Sequence, residues 1–170
     1  GAQIIGKEGV ERRIDVIATA MTANMKASEL FDLDLAFTPP VSTPKDPVMY
    51  TGMALTNAIY HSPLITAEEL YEQRNKKEDV ILLDIRESDK VNEAHIETAI
   101  NIPVRELRNR LDELDSDKEI VVYCNSGKLS YTAQRILLNR GFKEVYNLTG
   151  GIMSFQNLLH DLDNMDKMNQ

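Results

Sequence analysis

The sequence of 170 residues contains one cysteine, no tryptophan and no long apolar run. A single cysteine cannot form a disulfide within the chain, and no apolar segment approaches the roughly 18 residues that a membrane-spanning helix requires. A secretory signal segment is also absent from the beginning of the sequence. These absences favour a cytoplasmic protein that does not associate with a membrane.

Positive charge is scarce as well, since 19 Lys and Arg residues face 27 Asp and Glu residues and the net charge is -8. Nucleic-acid binding depends on clustered cations, so we do not expect nucleic acid as a partner. Three scattered histidines and one cysteine favour no metal site. The sequence starts at Gly1 without a methionine, and we therefore expect a piece of a longer protein.

The single cysteine, Cys124, follows a β-branched run over 119–123 and precedes a helical pattern. A free cysteine is often simply a buried hydrophobic residue, but the segment after this one is polar and contains glycine. The start of a helix also presents N–H groups that stabilise a thiolate. We therefore interpret Cys124 as a nucleophile. Its expected anion-binding loop consists of Asn125, Ser126, Gly127, Lys128, Leu129 and Ser130.

Strand and helix patterns alternate from residue 61 onward. Thr66 and Glu69 have the spacing of a capping box for a helix over 66–75. This order is typical of an α/β domain with a central parallel sheet, whose ligand site lies beyond the carboxyl ends of the strands, where Cys124 is expected. The other predicted elements are strands over 80–85, 99–102, 120–123 and 145–148, and helices over 104–114 and 129–140, the last stopped by Gly141.

The two ends of the chain have different patterns. Residues 158–170 are expected to form an amphipathic turn followed by a polar tail. For residues 1–60, apolar spacing and proline content are the signals. They predict helices over 10–26 and 48–59, a strand over 30–37 and an irregular segment over 38–47.

The second half of the chain contains four sequence blocks, at residues 83–87, 94–103, 124–130 and 147–152. In this order they resemble the rhodanese domain, a sulfurtransferase module. The resemblance implies a rhodanese-like central parallel sheet flanked by helices over 61–156, with Cys124 carrying persulfide sulfur. Typical members have arginine at one or more of the positions held here by Asn125 and Leu129. Lys128 is the remaining formal charge of the loop.

Three residues of these blocks are expected to support the site. Asp84 and Arg86 follow a strand and should pair with each other or with nearby backbone, because buried charges need partners. A direct contact with substrate is the alternative for both. In the resembling family the histidine at His95 mainly supports the fold, and catalysis is the alternative.

Ser130, in the loop, should either donate its hydroxyl to the persulfide or make a local backbone bond.

The first part of the chain carries a second resemblance, in residues 1–6, 13–19, 33–40 and 45–47. These residues are similar to the C-terminal dimerisation domain of FAD-dependent pyridine nucleotide-disulfide oxidoreductases, near the CoA-disulfide reductase and NADH oxidase group. The resemblance implies a homodimer in the full-length protein. Phe37 stands where that family commonly has tyrosine, which argues against a hydroxyl-dependent role there.

The resemblance also implies FAD and NAD(P)H in domains upstream of Gly1. The G-x-G-x-x-G fingerprints that hold these cofactors are absent from the sequence, so we expect the chain itself to bind neither. The expected organisation is a partial dimerisation domain over 1–60, a rhodanese-like domain over 61–156 and a tail over 157–170.

The favoured function is sulfur transfer through a Cys124 persulfide, within a flavin-dependent reductase of CoA disulfide, persulfide or polysulfide. Expected partners are small sulfur compounds: persulfides, polysulfides, the CoA thiol and thiosulfate. Two alternatives stay open. A catalytically weak regulatory or dimerisation module would fit the missing loop arginines. A cysteine phosphatase would need Cys-x5-Arg, whereas the sixth residue after Cys124 is Ser130.

Overall fold

The computed structural model describes residues 1–36, 44–59, 62–76 and 79–168. The chain divides into two compact units, Gly1–His61 and Ser62–Gln170. Within the described ranges, no helix combines the length and the apolar character needed to cross a bilayer.

The helices in the described part of the first unit are α1 (Val10–Thr22), α2 (Ala27–Phe31) and α3 (Pro47–Ile59). Gly52 lets α3 approach α2 closely, because a side chain there would meet the Leu30 Cβ atom at 2.7 Å. Arg13 on α1 forms an ion pair of 3.0 Å with Asp46, the residue before α3. The apolar core of this unit consists of Ile17, Ala20, Leu30 and Val48.

The strand predicted over 30–37 is wrong for the residues that the structure describes. Leu30 belongs to α2, at whose start the Lys26 N–H donates to the Glu29 carboxylate, and residues 33–36 have no regular structure. The alternating leucines still face the core, because Leu33 and Leu35 pack against it without a partner strand. Phe37 and most of the segment predicted to be irregular lie outside the described residues. Helix α1 also ends at Thr22, earlier than predicted.

The second unit is built on a parallel sheet of five strands in the order β1-β5-β4-β2-β3. The central strands are rich in Val, Ile and Leu, as expected for a sheet covered on both faces. Asp84 at the end of β2 is in register with Tyr123 at the end of β4. The strands are β1 (Leu64–Ile65), β2 (Val80–Asp84), β3 (Ile100–Asn101), β4 (Glu119–Tyr123) and β5 (Val145–Leu148).

Helices cover both faces of this sheet. On one face α6 packs its Ala133 and Leu137 against Ile120 and Val122 of β4. On the other face α4 and α7 pack around Val121. Successive residues of β4 thus point to opposite faces. The helices of this unit are α4 (Ala67–Asn75), α5 (Ser88–Glu93), α6 (Lys128–Leu138) and α7 (Gly151–Met168).

Two sequence-based predictions are wrong in this unit. Instead of a helix over 104–114, the chain forms two 3₁₀ turns, Leu107–Asn109 and Leu111–Glu113. The tight i+3 bonds of this geometry, such as 2.8 Å from Asn109 N–H to the Glu106 carbonyl, replace α-helical bonds, and Arg110 has φ -127° between the turns. The expected turn and tail over 158–170 is also replaced, because α7 continues to Met168.

The capping box at the start of α4 is confirmed. The Glu69 N–H donates to the Thr66 hydroxyl at 3.2 Å, and the Thr66 N–H donates to the Glu69 carboxylate at 2.8 Å. Two short elements, β1 and α5, were not predicted. A two-residue strand and a helix of six residues give too few repeats for a periodic pattern.

The capping box predicts a specific loss of stability. Thr66→Ala leaves the Glu69 N–H without its acceptor and should lower the free energy of unfolding by about 1 kcal/mol. Thr132→Ala is the matched control, since Thr132 is exposed within α6 and alanine is the better helix former. Urea unfolding followed by circular dichroism measures both. Equal stability losses in the two variants would contradict this role.

Candidate active site

The turn between β4 and α6 holds Cys124 at the carboxyl edge of the sheet, as predicted. Gly127 ends this turn with φ 89°, a left-handed conformation that favours glycine. A side chain at Gly127 would also meet the Leu148 carbonyl oxygen at 3.2 Å. The tight curvature of the turn therefore depends on a glycine at this position.

The Cys124 sulfur faces three hydrogen-bond donors of its own loop. The Gly127 N–H lies 3.2 Å from Sγ, and the Ser130 N–H and hydroxyl each lie 3.4 Å from it. Only 3 % of Cys124 is exposed, and Ser130 is fully buried. These neutral dipoles surround the sulfur atom, so they can stabilise negative charge on Sγ or on an atom bonded to it.

The pKa of the Cys124 thiol is lowered from its ordinary value. Burial acts in the opposite direction, because it disfavours the charged thiolate. Hydrogen bonds from the Ser130 hydroxyl and from the N–H groups of Ser130, Ser126 and Gly127 outweigh it. The thiolate that a nucleophile requires is thus favoured without a neighbouring formal charge.

The predicted loop residues divide into two groups. Gly127 and Ser130 surround the sulfur, as described above. Four others are exposed: Asn125, Ser126, Lys128 and Leu129. The side chain of Leu129 is among the exposed large hydrophobic groups, at 46 %.

The beginning of α7 closes against the back of the loop. The Ile152 N–H donates to the Cys124 carbonyl at 2.9 Å, and the Met153 N–H donates to the Asn125 carbonyl at 3.3 Å. Gly151 has φ 61°, and a side chain there would lie against the Cys124 carbonyl oxygen and 2.6 Å from the carbonyl carbon of Asn125. This contact between backbones fixes the direction of the loop.

Asp84 and Arg86 form the buried pair that the sequence predicts. The Arg86 Nη2 atom lies 2.6 Å from a carboxylate oxygen of Asp84 and also donates to the Ala94 carbonyl. The Asp84 carboxylate raises the pKa of Arg86, so the guanidinium remains charged. Arg86 also donates to the Asn125 side chain at 3.3 Å, which links the pair to the loop.

His95 is not among the hydrogen-bond donors to the Cys124 sulfur. Its ring is exposed, and Nδ1 lies 3.1 Å from the Val91 carbonyl. It lines a groove of about 470 Å³ together with Arg74 and Phe155. In the described part of the chain, no cluster of three or more His, Cys, Asp or Glu residues is suitable for a metal ion.

Asn147 is a site residue that the sequence analysis did not single out. It lies on β5 and is only 5 % exposed. Its side-chain oxygen accepts from the Ser130 hydroxyl at 2.7 Å, and its nitrogen donates to the Gly127 carbonyl at 3.0 Å. The available signal was an amide within an apolar strand, because a buried amide requires hydrogen-bond partners.

Comparison with known proteins gives the family. Residues 66–158 match the rhodanese-like domain. The chain belongs to the rhodanese-like domain family. Its second unit has the rhodanese-like α/β fold, with a central parallel sheet flanked by helices, as the sequence predicts. The chain is 35 % identical over 91 residues to a sulfurtransferase of Allochromatium vinosum. The aligned region covers 54 % of this chain and 85 % of that protein.

Two solved structures are similar over most of the chain. The reduced CoADR-RHD protein of Bacillus anthracis is 36 % identical with a TM-score of 0.79, covering 92 % of this chain and 28 % of that one. An NAD-dependent persulfide reductase of A. fulgidus is 40 % identical with a TM-score of 0.69, covering 88 % and 26 % respectively. The chain thus spans little more than a quarter of the length of these two proteins.

The hydroxyl of Ser130 predicts a change in the pH dependence of the thiol. Ser130→Ala removes a hydrogen bond to the thiolate, so the pKa of Cys124 should rise, and less thiolate should be present at neutral pH. The rate of alkylation by iodoacetamide, measured against pH, reports this pKa directly because the chain has a single cysteine. A midpoint that is unchanged or lower in the variant would contradict the assignment.

The buried pair predicts a large effect on stability. Asp84→Asn leaves the charge of Arg86 buried without a counterion and should lower the free energy of unfolding by about 3–5 kcal/mol. Asp117→Asn is the matched control, because Asp117 pairs with Lys143 at 2.8 Å on the exposed surface, where removing the pair should change stability little. Urea unfolding measures the stability of both variants. Similar losses of stability in Asp84→Asn and Asp117→Asn would refute this prediction.

Proposed function

We propose that this rhodanese-like domain transfers sulfur through a persulfide on Cys124. The observation that carries the proposal is the position of Sγ, which lies 3.2–3.4 Å from two N–H groups and one hydroxyl of the same loop. Such preorganised donors stabilise a sulfur anion. The lowered pKa of Cys124 supports its role as the attacking thiolate.

The first half of the reaction forms the persulfide. The Cys124 thiolate attacks the outer sulfur of a donor persulfide, RS–SH. The donor's S–S bond breaks, a new S–S bond forms to Cys124, and the donor leaves as a thiolate that takes a proton from water. Oxidation states are exchanged between the two sulfur carriers, so no external oxidant is required.

The second half returns the enzyme to its starting state. An acceptor thiolate attacks the outer sulfur of the Cys124 persulfide, which releases the Cys124 thiolate and a new persulfide on the acceptor. The chain contains no other cysteine, so the acceptor is a thiol from outside it. The N–H groups of Gly127 and Ser130 stabilise the Cys124 thiolate as it leaves.

The loop side chains favour a persulfide or polysulfide as the donor over thiosulfate. Thiosulfate is a dianion that leaves as sulfite, and arginine is the side chain best suited to bind such an oxyanion bidentately. Here the exposed positions carry Asn125 and Leu129, and Lys128 provides a point charge on a flexible chain. These side chains suit sulfur donors that lack an oxyanion group.

We further propose that the chain belongs to a flavin-dependent reductase of CoA disulfide, persulfide or polysulfide. The similarity to CoADR-RHD covers 92 % of the chain, which extends well beyond the rhodanese-like residues 66–158 and supports a partial dimerisation domain over 1–60. FAD and NAD(P)H would bind to other parts of the whole protein. A homodimer and the CoA thiol as acceptor are parts of this proposal.

Persulfide formation can be measured by intact-protein mass spectrometry after incubation with polysulfide. We expect a gain of one sulfur, roughly 32 Da, that a reductant reverses and that Cys124→Ser abolishes. Ser126→Ala is a suitable control, because it removes an exposed hydroxyl and keeps the thiol. If no adduct forms while the thiol is still alkylated, the regulatory or dimerisation alternative replaces this proposal.

The donor preference can be tested by restoring charge to the loop. Leu129→Arg should raise kcat/KM for thiosulfate by about tenfold or more, since a charge-assisted hydrogen bond contributes about 1.5–3 kcal/mol. Leu129→Gln is the uncharged control of similar length. Transfer of sulfur to cyanide is measured with thiosulfate and with polysulfide as the donor, which gives the ratio of the two kcat/KM values. A clear preference of the unaltered chain for thiosulfate would refute the donor assignment.

A further inference from the structure

The hydrogen bonds around Asn147 have a single consistent assignment. The Gly127 carbonyl can only accept, so the side-chain nitrogen of Asn147 must face it, at 3.0 Å. The side-chain oxygen of Asn147 therefore faces Ser130, at 2.7 Å. Because Asn147 and Ser130 are both buried, this orientation is fixed by the protein itself.

The Ser130 hydroxyl has one hydrogen and two possible acceptors. One is the Asn147 oxygen at 2.7 Å, the usual separation for a hydroxyl and an oxygen. The other is the Cys124 sulfur at 3.4 Å. While the hydroxyl hydrogen points to the Asn147 oxygen, the hydroxyl presents a lone pair to the Cys124 sulfur. This lone pair can accept a hydrogen bond from the thiol, but it does not stabilise a thiolate.

We propose that Asn147 is a positioning residue that competes with the sulfur anion of Cys124 for the hydroxyl hydrogen of Ser130. The hydroxyl points to Asn147 while Cys124 is a thiol. It turns to the sulfur when the thiol proton has left to water or when the persulfide anion has formed. This rotation of the hydroxyl leaves the buried Asn147 oxygen without its hydrogen-bond donor, and that loss opposes formation of the anion.

Other charges in the surroundings do not account for this competition. The titratable groups on the neighbouring elements include Tyr123 on β4, Lys128, Tyr131 and Arg135 on α6, Tyr146 on β5, and the Asp84–Arg86 pair at the end of β2. None of these is among the groups that donate to the Cys124 sulfur at 3.2–3.4 Å. Asn147 is connected to the sulfur through the Ser130 hydroxyl and, by its bond to the Gly127 carbonyl, through the backbone of Gly127.

A double-mutant cycle on the alkylation rate of Cys124 tests the proposal. Asn147→Ala frees the hydroxyl for the thiolate, so the pKa of Cys124 should fall by about half a unit and alkylation near about pH 6.5 should become about threefold faster. In the Ser130→Ala background the same substitution should change nothing, because Asn147 acts through Ser130. Asn147→Leu, which fills the volume without an acceptor, should behave as Asn147→Ala does.

Two results would overturn the proposal. One is a pKa that rises or stays the same in Asn147→Ala and Asn147→Leu. The other is an equal effect with and without Ser130, which would mean that Asn147 acts by holding the Gly127 carbonyl. Circular dichroism verifies that each variant is folded.

A measurement on the unaltered side chains covers the case in which the variants fail to fold. The NMR shift of the Asn147 side-chain carbonyl carbon should change with pH at the pKa of Cys124, and this change should vanish in Cys124→Ser. A carbonyl shift that does not change as Cys124 loses its proton would refute the proposal. The proposal deepens the sulfur-transfer function, but alkylation and NMR need no sulfur donor, so either idea can fail without the other.

Discussion

The contact between the start of α7 and the peptide of Cys124 and Asn125 is the constraint on which the site depends. No side chain fits at Gly151, and two N–H groups of α7 take up the carbonyls of the cysteine turn. With those carbonyls held behind the turn, the N–H groups of Gly127 and Ser130 point forward to the sulfur. The register of β4 with β5 supplies this arrangement, because it sets Val122 beside Asn147.

The site stabilises negative charge with dipoles, and formal charges are kept at a distance. The buried ion pair Asp84–Arg86 is satisfied internally and reaches the loop through Asn125. A positively charged neighbour would lower the thiol pKa further and would also attract multiply charged anions. Neutral hydrogen-bond donors lower the pKa of Cys124 without adding formal charge to the loop.

The sequence predicts the parallel sheet and the position of Cys124 because these depend on local signals. Apolar runs of strand length, the Thr66 capping box and the polar turn after β4 are each readable within a few residues. The strand over 30–37 was wrong because alternating leucines can also be buried by a helix followed by an irregular segment. The helix over 104–114 was wrong because apolar spacing does not distinguish an α-helix from successive 3₁₀ turns. Asn147 was missed because its importance comes from contacts with residues 17 and 20 positions away.

The use of main-chain N–H groups at the sulfur has a consequence for how this domain can change over evolutionary time. A substitution removes a side chain but leaves the peptide group, so the two N–H donors from Gly127 and Ser130 survive most replacements in the loop. The exposed positions Ser126, Lys128 and Leu129 can then vary without loss of these N–H groups. Such a scaffold can change the side chains around its cysteine by one or two replacements while the backbone that faces the sulfur is inherited intact.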